Sequence, residues 1–134
     1  MVRRAARLIH PESNYRRSLD QMIRRAEAGV PWRRIARELE DTWRPEYPAL
    51  NNAVPNGALV ALGLWFGEGD FLKTVNVIVQ AADYSDADCN AANAGAVIGA
   101  MRGPDALPAE LVAALHDRIW GEKMGPVTFR QPVE

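Results

Sequence analysis

Leu19, Met22, Ile23 and Ala26 stand at i, i+3, i+4 and i+7, which predicts a helix from about Ser13 to Ala28 with Gly29 as its stop. Pro31 sits where a first helical position tolerates proline. Trp32, Ile35, Ala36, Leu39 and Trp43 then repeat the spacing on a second helix, which Pro45 and Pro48 prevent from continuing. The segment from about Gly57 to Phe66 is apolar nearly all round and should be buried. After a turn at 67–70, Phe71, Val75, Ile78 and Ala82 form a fourth stripe, backed by Leu72 and Val79. Following a polar break over 83–88, a small-residue helix runs from Cys89 to Arg102 and is closed by Gly103–Pro104. Pro108 opens a last helix, with Leu111, Leu115 and Ile119 facing inward.

The pattern therefore predicts an all-α bundle of about five to six helices. Residues 1–12 read as the end of a helix and a loop, 13–120 as the helical body and 121–134 as an irregular tail. Val2, Ala5, Ala6 and Ile9 keep helical spacing with no capping residue before them, as in a helix met partway along its length or in a short frayed leader.

Composition narrows the function classes. At 134 residues the chain has room for one core, and 48% hydrophobic with 25% charged residues excludes an intrinsically disordered segment. The richest apolar run, Ala58 to Phe66, falls far short of the roughly 20 residues a membrane span requires. A single cysteine, Cys89, excludes an internal disulfide and suits a reducing compartment. No apolar stretch after Met1 resembles a secretory signal, so the expected location is the cytoplasm.

Charge is uneven. Residues 1–46 carry 11 basic and 7 acidic side chains (net +4), whereas residues 47–134 carry 5 and 10 (net −5). Segment 16–37, with its helix–Gly29–helix rhythm and many arginines, is the stretch a helix-turn-helix DNA binder would use. Glutamates at 27, 38 and 40 interrupt that basic face and argue against it.

The chemistry-bearing stretch is Ala81 to Gly103. Gly95, Gly99 and Gly103 fall at i, i+4 and i+8, and each interior glycine costs a helix about 1 kcal/mol against alanine. Close approach by another helix or a ligand would compensate. Asp83, Asp86 and Asp88 precede the helix. Residues at i and i+2 do not share a helix face, so Asp86 and Asp88 converge only if they lie on the turn that leads into it. There they could hold a hard cation such as Mg²⁺. The alternative is plain capping, because aspartate stabilises the positive end of a helix. Cys89 is a soft thiol and a poor Mg²⁺ ligand.

The string Asp86–Ala87–Asp88–Cys89–Asn90, continuing through Gly95 and Gly99 to Gly103, resembles the C-terminal metal motif of the ADP-ribosylglycohydrolases. It is closest to the branch reading Asp-Thr-Asp-Cys-Asn. The resemblance extends to Asn52 through Phe71 and, upstream, to Ala5–Pro11, Ser13 and Tyr15, so that roughly residues 5–120 are covered. It implies an all-α protein similar to the C-terminal half of that fold. It also implies two Mg²⁺ ions that assist hydrolysis of the bond between ADP-ribose and a modified side chain. Asp86 and Asp88 would be metal ligands, with Asp88 as the bridge, and Cys89 occupies the place of a coordinating threonine. Asn52 and Asn56 are candidates for lining a ribose pocket, with loop and capping roles as the alternative.

The chain departs from the family pattern. It contains neither the Gly-Asp-Ala-type loop nor the Thr-Asp-Asp-Thr-type string that completes the family's metal site. Glu40–Asp41–Thr42 and Gly69–Asp70 look like fragments of those strings in the wrong order and place. Ala87 stands where the motif has threonine, and no candidate for the catalytic acid is visible. The expectation is a truncated glycohydrolase, inactive alone, acting on ADP-ribose or an ADP-ribosylated protein with a complementing chain or a second copy. A non-catalytic helical module is the other reading. His10 and His116 lack partners at ligand spacing and read as surface or core residues.

Overall fold

Ser13 begins the first long helix as the sequence implies: its hydroxyl accepts the Arg16 backbone N–H at 3.1 Å. The computed structural model describes residues 1–49, 51–81, 86–116, 118–121 and 124–128, with side chains described as far as 116. A short helix α1 (Val2–Ala6) leads in, and the Arg16 guanidinium donates to the Ala6 carbonyl at 2.8 Å to close its end. Helix α2 (Asn14–Glu27) buries Leu19, Met22 and Ile23 and stops at Gly29, whose φ of +73° is left-handed. Helix α3 (Trp32–Trp43) buries Ile35, Ala36, Leu39 and Trp43. A two-pronged pair from Arg25 to Glu38, with both contacts at 2.7 Å, ties α2 to α3.

Helix α4 (Ala53–Phe66) is the centre of the bundle, packing against α2, α3, α5 and α6. It starts four residues earlier than its apolar run because Asn52 Oδ1 caps Val54 N at 3.0 Å and Pro55 falls in the first turn, where no N–H is needed. Helix α5 (Phe71–Gln80) approaches α4 closely. A Cβ on Gly67 would stand 2.7 Å from the Thr74 Cα, so glycine is required there by space. Helix α6 (Ala87–Arg102) packs on α4 and α5 and ends at Gly103, with φ +79°. A 3-10 turn (Pro104–Ala106) and the short α7 (Ala109–Ala114) follow.

The fold is all-α: the described residues form five helices of ten residues or more flanked by two short ones, with one β-hairpin near the C-terminus. None of the described helices is long and apolar enough to cross a membrane.

Three expectations are corrected. On α5 the inward face is Thr74, Val77 and Ile78; Phe71 and Val75 are half-buried, while Leu72 and Val79 are 56% and 53% exposed. The face is rotated because Thr74 satisfies its hydroxyl on the Asp70 carbonyl at 2.7 Å and so can sit in the core. The expected partner of that stripe, Ala82, lies outside the described residues, as do Asp83, Tyr84 and Ser85. The last helix ends at Ala114, with Leu111 and Leu115 exposed, and does not reach Ile119. From Arg118 the chain forms a strand, β1 (Arg118–Gly121), antiparallel to β2 (Met124–Thr128), so part of the expected irregular tail is paired. Ile119 is opposite Val127 and Arg118 opposite Thr128, and β-branched residues at such positions favour strand over helix.

Candidate metal centre

Four helices of the body have a residue suited to capping at their N-terminus, and three use it. Ser13 accepts from Arg16 N, Asn52 from Val54 N and Asp70 from Lys73 N. Asp86, before α6, makes no side-chain capping bond. Its backbone, at φ −76° and ψ 82°, is outside the helical region, although its carbonyl accepts the first intrahelical bond from Asn90 N at 3.0 Å. The extended ψ frees the Asp86 side chain from the helix periodicity.

The consequence is convergence. One ligand atom from each of Asp86, Asp88 and Cys89 lies within 4.8 Å of the others, although the residues are spaced i, i+2 and i+3. Asp86 is half-buried, and Asp88 and Cys89 are exposed. The Asp88 carboxyl is held below the usual carboxylate range, chiefly by hydrogen bonding with the Asp86 side chain, then by the backbone N–H groups of Cys89 and of Asp88 itself. The Cys89 thiol is pushed up, first by hydrogen bonding to Asp86 and then by the negative charges of Asp86 and Asp88. The two carboxylates of this cluster offer hard oxygen donors, the kind that Mg²⁺ or Mn²⁺ takes.

Immediately behind the cluster is Asn90, 2% exposed, whose Nδ2 donates to Asn56 Oδ1 at 3.1 Å. Asn56 is buried on α4 and meets α6 through this bond. Asn52 is one turn earlier, with its side-chain oxygen engaged in capping. The structure therefore brings Asp86, Asp88 and Cys89 together, links Asn56 to the residue beside them and leaves Asn52 in a capping role. The contribution of Asn90 was missed by sequence reasoning. Its signal was a lone amide at an inward position of a helix otherwise built from small and apolar inward residues.

The glycines of α6 do not form one contact face. A Cβ on Gly95 would stand 3.1 Å from Phe71, but nothing lies within 4 Å of Gly99, and Gly103 serves the left-handed termination. The two misplaced acidic fragments also have structural partners. Glu40 is clasped by Arg44 at 2.8 and 2.9 Å, and Asp70 caps α5. In the basic segment, Arg16 pairs with Asp20 at 2.9 Å, and Arg25 and Arg34 share Glu38 at 2.7 and 3.1 Å. His10 and His116 are exposed.

The sequence model of the ADP-ribosylglycohydrolase family matches residues 1–130, and the chain belongs to that family. Its members act on ADP-ribosylated substrates and depend on metal ions. No curated protein and no solved structure matches the chain.

Proposed function

We propose that the chain supplies the C-terminal carboxylate pair of a Mg²⁺-dependent hydrolase that releases ADP-ribose from a modified side chain. The observation that carries this reading is the convergence of Asp86 and Asp88 at a helix start whose N-terminal aspartate does not cap it. Asp86 and Asp88 would hold the cation, and Cys89 stands beside them in the position of a neutral donor. When bound, Mg²⁺ in such a site supplies Lewis-acid polarisation of ribose hydroxyls and of a water. The residues of this chain do the holding. Hydrogen bonds hold the Asp88 carboxyl below the usual carboxylate range, and Asp86 makes no side-chain bond to the helix N–H groups that would compete for its oxygens.

Two carboxylates are half of a two-ion site. We infer that the remaining acidic ligands, of the Gly-Asp-Ala and Thr-Asp-Asp-Thr types, come from chain that this sequence does not contain, and that hydrolysis requires it. The test is release of ADP-ribose from an ADP-ribosylated arginine or serine peptide, with and without a glycohydrolase N-terminal half added in trans. Release only in the presence of that half, and its loss in Asp88→Ala, is the expected result. Release by the chain alone would contradict the need for a second half. No release in either case would contradict the hydrolase reading.

A further inference from the structure

We infer that Asn56 and Asn90 are a positioning pair that sets the register of α6 on α4 and thereby places the Asp86 and Asp88 carboxylates. The inference rests on the metal-centre reading for its function, but its structural half stands independently.

Asn90 is the one polar side chain buried on α6, and Asn56 is the one polar side chain buried on α4. They lie 34 residues apart in sequence and meet at 3.1 Å. A buried amide N–H left without an acceptor is costly, so an arrangement of the helices that parts Asn90 Nδ2 from Asn56 Oδ1 is disfavoured.

The rest of the buried face of α6 is poorly suited to fixing a register. It comprises Ala94, Gly95 and Ile98, and the first two offer little relief for ridges to lock against. Sliding α6 by one residue would bring Cys89 or Ala91 opposite Asn56 and turn the inward face away. A single buried polar pair specifying register is a known device where apolar packing alone is permissive.

The placement of the pair gives it reach. Asn90 closes the first turn of α6 on the Asp86 carbonyl at 3.0 Å. Asn90 is therefore joined both to the central helix and to the backbone of the first metal-binding aspartate. Rotation or fraying of that turn would separate the carboxylates that now lie within 4.8 Å. Neither asparagine side chain belongs to the three-residue cluster; both act through the helix start they hold.

The experiment uses the chain as it exists, with two readouts at a temperature where circular dichroism shows every variant folded. The first is Mn²⁺ affinity by paramagnetic resonance for wild type, Asp88→Ala, Asn56→Ala, Asn90→Ala and the double asparagine variant. Each single asparagine change is expected to weaken binding by about tenfold, and the double variant by no more than a single one. The second is hydrogen exchange of the Asn90 amide in metal-free protein, which should accelerate in both asparagine variants relative to the rest of α6. Leu39→Ala, a change in the α2–α3 packing, serves as the control for lost stability and should alter neither readout selectively. Wild-type affinity in the asparagine variants, or unchanged exchange at Asn90, overturns the positioning pair. If wild type and Asp88→Ala bind Mn²⁺ alike, the metal-centre reading fails, while exchange at Asn90 still decides the register.

Discussion

Asp86 and Asp88 are separated by one residue, yet their carboxylates come within 4.8 Å because Asp86 stands outside the helix that contains Asp88. Asp70 takes the same place before α5 and behaves differently, accepting Lys73 N at 2.8 Å. One aspartate serves its helix and the other does not. Asp70→Ala should therefore destabilise the protein by about 1 kcal/mol in chemical denaturation. Asp86→Ala, measured in chelator, should cost less than half as much, because no capping bond is lost and a neighbouring negative charge is relieved. Equal costs would return Asp86 to a capping role.

The thiol reports on the same two carboxylates. Cys89 is pushed above its ordinary range by Asp86 and Asp88, so its alkylation by iodoacetamide should accelerate only above the pH at which an unperturbed thiol reacts. Asp86→Asn should move that midpoint down. An unchanged midpoint would place the carboxylates elsewhere.

Both shifts have a sign in stability. Asp88, lowered in the folded state, contributes stability above the ordinary carboxylate range and loses it as pH falls through its lowered folded value. Cys89, raised in the folded state, contributes stability below the ordinary thiol range and loses it as pH rises through its raised folded value. Urea denaturation across pH should show the acid-side loss reduced in Asp88→Asn and the alkaline-side loss reduced in Cys89→Ser. Both groups are exposed, so each effect is small.

Two glycines separate space from flexibility. A Cβ on Gly67 would overlap the Thr74 side chain and stand 2.7 Å from the Thr74 Cα, so Gly67→Ala should destabilise by about 1–3 kcal/mol. Gly99 has nothing within 4 Å in the direction of a Cβ and lies inside a helix, so Gly99→Ala should stabilise by about 0.5–1 kcal/mol. Thermal unfolding of the two variants should move in opposite directions.

Helices α2 and α3 were legible because their apolar positions keep one stripe and their ends carry local signals. Ser13 and Gly29 bracket the first; Pro31, just before Trp32, opens the second. The α5 face was misread because periodicity counts Thr74 as polar, whereas a single bond to the Asp70 carbonyl makes it a core residue. Leu111, Leu115 and Ile119 gave a helical spacing of only three positions, too few to outweigh the strand preference of Ile119 and its surroundings. At the site, Asp86, Asp88 and Cys89 are neighbours in sequence, and their motif was readable. Asn56 is 34 residues from Asn90, and nothing local to either residue announces the other.

Calorimetric titration of Mg²⁺ into the wild-type chain and into Asp88→Ala tests the central claim most directly. Saturable binding by the wild type that Asp88→Ala abolishes is the expected result. Identical traces from the two proteins would mean that Asp86 and Asp88 only decorate a helix start, and would contradict the account.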